Sequence, residues 1–268
     1  MLYIAILIIG TAAFALVLFA APMTLFYVVG AVSLFIILAW FSLSIFVVQV
    51  PFVYRASTRG DKALPRVALT FDDGPHPKFT PMVLDILKGH NVKATFFLVG
   101  EKVLENPETV RRMVDEGHEI GTHSMSHVHL LGLMRTKRQV EEMENCKRAI
   151  AETAGILTST VPHWYRPPMG YKTPSTFWAA KRLGLKIVGW HIKGWDTFYT
   201  DPEKIASSVL KRVENGSIIL LHDSSTLRGR PVDRSPTVEA LPIILSGLLK
   251  RELKPVTLNE LFDRGEKK

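Results

Sequence analysis

The sequence predicts an α/β fold in which a parallel sheet closes into an irregular (β/α)7 barrel, preceded by a two-helix transmembrane hairpin. From about residue 65 onward, short apolar runs rich in Val, Ile and Phe alternate with longer amphipathic stretches. Such alternation is typical of a parallel sheet with helices outside it. Seven candidate strands in this length favour a barrel over an open sheet, although periodicity alone allows both.

The hairpin prediction rests on residues 1–50. No Asp, Glu, Lys, Arg or His occurs before Arg55. Two apolar runs, at about 2–21 and 25–48, flank "APMT" around Pro22, and each reaches the roughly 20 residues that a bilayer crossing needs. A cleaved signal peptide would need a basic start, which is missing. A single tilted helix would have to accommodate Pro22 in mid-span.

A short linker, 51–64, is predicted to follow the hairpin. Arg55, Arg59, Lys62 and Arg66 lie close behind the second span. Such residues are enriched on the cytoplasmic side of membranes, so the charge pattern predicts a multi-pass membrane protein with its domain inside the cell. The basic linker would also meet anionic lipid, which makes the bilayer an expected partner.

The bulk composition narrows the partners further. The net charge of +8 favours anionic partners such as head groups, acidic glycans or nucleic acid. No nucleic-acid-binding motif is recognisable, so nucleic acid is not expected. A single cysteine, Cys146, excludes a disulfide scaffold. The oligomeric state leaves no signal in the sequence.

One domain, 65–268, is predicted after the linker. Its candidate strands are, in order, "RVALTF", "ATFFLVG", "HEIGTH", "VPHWYR", "KIVGWHI", "SIILLHD" and "KPVT". Several of the intervening helices begin at Thr-Pro or Asp-Pro and end at Gly, as helix caps do. Polar residues fall at the strand ends, where parallel α/β folds build their sites.

The first strand ends on two adjacent acids, Asp72 and Asp73, in "TFDDGP". Asp-Asp-Gly-Pro is good turn chemistry, which is the simplest interpretation. The functional interpretation is that the two carboxylates divide two tasks. Side chains of adjacent residues diverge, so one acid can bind a metal while the other accepts a proton.

The segment "HSMSH" places His123 and His127 four residues apart. On a helical turn this spacing puts both imidazoles on one side, where they can bind one metal ion. A lone pair of this kind usually has no function. Two histidines with a carboxylate on the same rim, and positions left for water, are instead typical of a catalytic metal site.

Five motifs in the same order resemble those of the polysaccharide deacetylases, carbohydrate esterase family 4. They are "TFDDGP", "HSMSH", "RPPMG", a divergent "KGWDT" and "LLHD". The resemblance covers the domain and leaves the hairpin outside it. It implies a divalent metal, usually zinc, held by Asp73, His123 and His127.

The resemblance also implies catalytic roles. Asp72 would be the general base, and Arg166 would pair with it and orient it. His222 would be the general acid that protonates the leaving amine, and Asp196 would pair with His222 and raise its pKa. Amide hydrolysis needs these parts, since the water must be deprotonated and the nitrogen protonated.

The pocket residues are the least regular part of the resemblance. Leu220 would line the pocket for the acetyl methyl group, and the backbone N–H near Met169 would help to hold the oxyanion. The family usually has Asp where Lys193 stands, Trp where Thr197 stands, and often an aromatic residue in place of Met169. Trp195 is the candidate replacement for the missing Trp.

The resemblance implies a metal-dependent N-deacetylase of an N-acetylhexosamine glycan, whether peptidoglycan, a chitin-like oligomer, an exopolysaccharide or a lipid-linked sugar. One alternative is an esterase that removes O-acetyl groups from a polysaccharide. Another is a catalytically silent, membrane-tethered glycan-binding module. Most relatives act outside the membrane, so the resemblance places the domain on the side opposite to that indicated by the charges.

Overall fold

The computed structural model describes residues 10–11, 23–46, 56–161, 163–227 and 230–263. The first helix, α1, spans Met23–Phe46. Apart from Gly10 and Thr11, the first predicted span at 2–21 lies outside the described residues. The same holds for the start of the predicted linker, before Ala56.

The predicted membrane localisation is wrong. Within the described residues, no helix meets the length and hydropathy required for a membrane span. The transmembrane hairpin and the bilayer as a partner therefore lose their support.

The domain is built on one sheet of eight strands, and all of its strand pairs are parallel. The strands are β1 (Arg66–Gly74), β2 (Thr95–Leu98), β3 (Glu119–Thr122), β4 (Trp164–Tyr165), β5 (Lys186–Ile187), β6 (Ile192–Lys193), β7 (Ile218–His222) and β10 (Lys254–Val256). The order of the strands in the sheet is β5-β4-β3-β2-β1-β7-β6, and β10 also pairs with β1. A separate antiparallel pair joins β8 (Thr226–Leu227) and β9 (Arg230–Pro231).

Helices follow most of the strands, as the alternation predicts. They are α2 (Phe79–Gly89), α3 (Gly100–Glu105), α4 (Pro107–Asp115), α5 (Thr136–Ala154), α6 (Pro174–Arg182), α7 (Pro202–Leu210), α8 (Ser235–Leu249) and α9 (Leu258–Phe262). The expected caps form at two of them. Thr173 makes a capping box ahead of α6, and the Asp201 side chain accepts hydrogen bonds from the first turn of α7.

Strand β1 shows how the sheet separates core from site. Val67, Leu69 and Phe71 are fully buried in the main apolar core beneath the helices. Because side chains alternate along a strand, Thr70 and Asp72 lie on the opposite face. The strand thus delivers Asp72 to the inner face at its carboxyl end.

The predicted strand "KIVGWHI" is in fact two strands, β5 and β6, at opposite ends of the sheet path. Residues 188–191, which lie between β5 and β6, form backbone hydrogen bonds to strands near both ends of the path. The Val188 N–H donates to the Tyr165 carbonyl of β4, and the His191 N–H donates to Ile218 of β7, both at 2.9 Å. Four residues therefore join the two ends of the path, so the sheet curls on itself. The parallel α/β fold is confirmed, with eight strands where seven were predicted.

A candidate metal centre at the carboxyl ends of the strands

The side chains of Asp72 and Asp73 point in different directions because β1 is irregular at its end. The pairing of β1 with β2 shifts register between Asp72 and Gly74. Asp73 adopts a positive φ of 72°, which is uncommon outside glycine. A Cβ at Gly74 would contact the Asp223 carboxylate, so a larger residue there would have to displace the Asp223 side chain.

Asp73 faces the two predicted histidines. Its Oδ1 atom lies 3.3 Å from Nε2 of His123 and 3.1 Å from Nε2 of His127. One ligand atom from each residue falls within 4.8 Å of the others. Burial alone would raise the pKa of Asp73, but hydrogen bonds from the two imidazoles hold it well below its usual range.

The two histidines are not on a helix, contrary to the expectation from their spacing. His123 follows β3, and His127 lies on the loop beyond it with a φ of 50°. Ser124 also has a positive φ, and its hydroxyl accepts a hydrogen bond from the His127 N–H at 3.0 Å. The loop backbone, rather than helical periodicity, brings the imidazoles together.

Glu142 holds this loop in place. Its carboxylate accepts hydrogen bonds from the backbone N–H groups of Met125 and Ser126 at 3.0 and 2.9 Å. It also bonds to the Ser126 hydroxyl and to Arg138. The Glu142 side chain is buried. The sequence did not single out Glu142, because it belongs to α5, whose mixed charges indicate a solvated face.

Asp73, His123 and His127 are arranged in a way that suits a bound metal ion. His123 Nδ1 lies 2.6 Å from the Arg166 carbonyl, which fixes the ring so that Nε2 points at Asp73. Metal-binding histidines typically bond through their second nitrogen in this way. Two imidazoles and one carboxylate also match the donor set of catalytic zinc sites. The three residues are therefore able to hold a divalent ion.

Asp72 pairs with a fully buried arginine. Arg166 Nη1 donates to Asp72 Oδ1 at 2.6 Å and to the Thr70 hydroxyl at 2.8 Å, and Nη2 donates to the Gly189 carbonyl at 2.8 Å. The guanidinium also lies 4.1 Å from the Phe97 ring centre. The other oxygen, Asp72 Oδ2, lies 4.0 Å from His123 Nε2. One oxygen is thus fixed by Arg166 while the other faces the metal-ligand group.

His222 ends β7, where its Cα is the register partner of Asp72. Its Nδ1 lies 2.9 Å from Asp196 Oδ1, and its backbone N–H donates to Asp196 Oδ2 at 2.7 Å. Burial lowers the pKa of His222, but the charge and hydrogen bond of Asp196 outweigh burial and raise it. Thr237 and Arg234, which the sequence analysis did not identify, hold Asp196 through its carboxylate and its backbone carbonyl.

A second buried cluster lies behind Asp73. Lys102 Nζ donates to the Asp73 carbonyl at 2.8 Å and to the Ser224 hydroxyl at 2.9 Å. The Asp223 carboxylate accepts from the Thr80 hydroxyl, and burial raises the pKa of Asp223 to about 6. Sequence spacing gave no sign that Lys102 supports the irregular end of β1.

The three predicted pocket residues differ in exposure. Leu220 is buried on β7, opposite Thr70 of β1. Met169 and Trp195 are 52% and 39% exposed, on the loops after β4 and β6. Both have a φ of 59°, a strained backbone conformation for side chains of this size.

Comparisons with known proteins identify the family to which the chain is related. A family profile described as "Polysaccharide deacetylase" matches residues 59–188. The chain is 38% identical over 200 residues to a peptidoglycan-N-acetylglucosamine deacetylase of Bacillus cereus, covering 73% of this chain and 87% of that protein. It is 36% identical to a chitooligosaccharide deacetylase of Sinorhizobium fredii, covering 74% and 92%. The crystal structure of the Bc1960 peptidoglycan N-acetylglucosamine deacetylase superposes with a TM-score of 0.70, at 34% identity, covering 80% of this chain and 95% of that one.

Proposed function

Because the chain belongs to the polysaccharide deacetylase family, carbohydrate esterase family 4, we propose that it removes N-acetyl groups from an N-acetylhexosamine glycan with the help of a divalent metal. As a family member it is a hydrolase of carbon–nitrogen bonds other than peptide bonds. The observation that carries the proposal is that the two adjacent carboxylates have different partners. Asp72 pairs with Arg166, whereas Asp73 faces two histidines.

Asp73, His123 and His127 would hold the metal, for which we propose Zn²⁺. When bound, it would polarise the acetyl carbonyl as a Lewis acid and so make the carbon easier to attack. The hydrogen bond from His123 Nδ1 to Arg166 and the Glu142 contacts to the loop would keep the ligand atoms in position.

Asp72 would act as the general base. Arg166 occupies Oδ1, so Oδ2 is the oxygen that would accept the proton of the attacking water. The water oxygen then bonds to the acetyl carbon. The fixed Arg166 contact would hold the carboxylate in one orientation through the reaction.

His222 would act as the general acid. Its Nδ1 is engaged by Asp196, which leaves Nε2 to donate a proton to the amide nitrogen as the carbon–nitrogen bond breaks. The products are acetate and a free amine on the sugar. The raised pKa of His222 favours the protonated form that this step needs.

The pocket roles are also proposals. Leu220 would contact the acetyl methyl group, the backbone N–H of Met169 would donate to the developing oxyanion, and Trp195 would form part of the pocket wall. Leu220 suits its role because it is buried beside the inner face that carries Thr70.

The test is acetate release from an N-acetylglucosamine oligomer and from acetylxylan by zinc-loaded protein, with mass spectrometry of each glycan. Loss of 42 Da (roughly one acetyl group) from the first substrate alone supports the N-deacetylase. Release from acetylxylan alone would indicate the alternative O-acetyl esterase. Binding without release from either would indicate the silent glycan-binding module.

A further inference from the structure

Lys193 lies on the face of the sheet that carries the site. It is the last residue of β6, and its Cα is paired with that of Leu220 on β7, which in turn is paired with Thr70 on β1. Because register partners in a sheet point to the same face, the Lys193 side chain lies on the inner face with Leu220 and Thr70. Thr70 is the residue that Arg166 contacts beside Asp72.

The ammonium group of Lys193 contacts aromatic rings. Its Nζ lies 5.0 Å from the ring centre of Trp195 and 5.5 Å from that of Phe198. In the part of the chain that the structure describes, no carboxylate lies within 4.0 Å of this nitrogen. Lys193 is partly buried.

The acids near Lys193 are already engaged. Asp72 and Asp196 are the carboxylates that act on it electrostatically. Asp72 is paired with Arg166 at 2.6 Å, and Asp196 with His222 at 2.9 Å. Arg212 lies close to this strand end and donates to the Lys193 backbone carbonyl at 3.1 Å. The positive charge of Lys193 is therefore available to an anion from outside.

The rings around Lys193 are open to solvent. Phe198 is 70% exposed, Tyr199 42% and Trp195 39%, all within one turn after β6. Adjacent exposed aromatic residues mark binding surfaces more often than chance surface positions do. The positive φ of Trp195 is a second sign, since strained residues cluster at ligand sites.

We infer that Lys193, Trp195 and Phe198 form a subsite for a carboxylate group of the glycan, close to the acetamide that is hydrolysed. The ammonium would pair with the carboxylate while the rings pack against the sugar. This inference rests on the proposed function and narrows its substrate to acidic N-acetylated glycans. This positive charge stands where the family motif usually has Asp.

Three matched probes test the subsite with the full, zinc-loaded chain. They are an N-acetylglucosamine tetramer, the same tetramer with its C6 groups oxidised to carboxylates, and the oxidised tetramer converted to neutral carboxamides. We expect the wild-type protein to have a KM for the carboxylate probe about fivefold to tenfold lower than for the other two, the effect of one partly buried ion pair. Lys193→Met should remove this difference in KM between the probes, and Lys193→Arg should retain it.

Lys181→Met is the matched control, because Lys181 makes a similar contact, 5.2 Å from the ring of Trp178, on α6. It should leave the KM ratio of the probes unchanged. Equal KM values for carboxylate and carboxamide in the wild type would overturn the inference, as would a ratio that survives Lys193→Met. Absence of acetate release from all three probes would instead contradict the proposed function.

Discussion

The carboxylate of Glu142, on α5, lies 2.9 Å from the backbone nitrogen of Ser126, one residue before a proposed metal ligand. This partly buried contact connects a helix to the loop that positions His127. The loop has two positive φ values, at Ser124 and His127, so it does not hold its shape through local preference. Its geometry depends on the acceptor that Glu142 provides.

Replacing Glu142 with Ala should weaken metal binding without removing a ligand. The freed loop would let His127 drift, and loss of such supporting contacts costs about tenfold or more in affinity. Competition with a chromogenic chelator measures the change. The exposed neighbour Glu144→Ala is the control and should retain wild-type affinity. Equal affinity in the two variants would contradict the role of Glu142.

Alanine at Asp73, His123 or His127 should abolish metal binding and activity together. Each substitution removes one of the three side chains that could donate to the metal. Among the described residues, no other group of His, Cys, Asp and Glu side chains is placed to hold one. Elemental analysis of the purified variants after dialysis measures the metal content. Full occupancy in all three variants would show that the metal binds elsewhere.

Asp72→Asn should keep the metal and lose turnover. The amide preserves shape and can still face Arg166, but it cannot accept the proton of water. We expect kcat to fall by about a hundredfold or more, the usual scale for a positioned base. Metal analysis of the same preparation separates this variant from the ligand variants. Activity within a few fold of the wild type would mean that another group takes the proton.

His222→Ala should reduce amide hydrolysis much more than the hydrolysis of an activated ester. A sugar amine leaves poorly without a proton, whereas nitrophenolate leaves unaided. Parallel assays on an N-acetylglucosamine oligomer and on nitrophenyl acetate measure the difference. Equal losses on the two substrates are the result that the general-acid role does not allow.

Asp196→Asn should move the alkaline limb of the pH profile to lower pH. Burial lowers the pKa of His222 and the Asp196 carboxylate raises it, so removing that charge leaves burial to dominate. In the proposed general-acid role the protonated imidazole is the active form, so activity would be lost as the pH rises through its pKa. The pH dependence of kcat/KM on the amide substrate measures the shift. If the alkaline limb does not move, a group other than His222 must be responsible for it.

Much of the site could be predicted because parallel strands end at one edge. Asp72, His123 and His222 terminate separate apolar runs, and the sheet brings those ends together. The supporting residues could not be predicted in this way. Glu142 and Lys102 lie on helices among other charges, and only the tertiary fold turns them toward the loops that they hold.

The division of "KIVGWHI" into two strands could not be predicted from the sequence either. Its apolar residues, Ile187, Val188, Trp190 and Ile192, are closely spaced, which indicates one buried strand. The observed break follows from distant partners, since Val188 bonds to β4 and His191 to β7. Gly189, within the break, supplies the carbonyl that Arg166 contacts, so the same segment closes the sheet and supports the pair with Asp72.

The curl of the sheet also affects whether copies of this chain can associate through their strand edges. An open parallel sheet presents strand edges on which a neighbouring molecule can add, and that is a common start of aggregation. Here the terminal strands β5 and β6 are only two residues long. The outer side of β5 is moreover occupied by Ser57, whose N–H donates to Ile187 and whose carbonyl accepts from Gly189, both at 2.9 Å. Shortening the chain beyond Ser57 would uncover that edge and favour self-association.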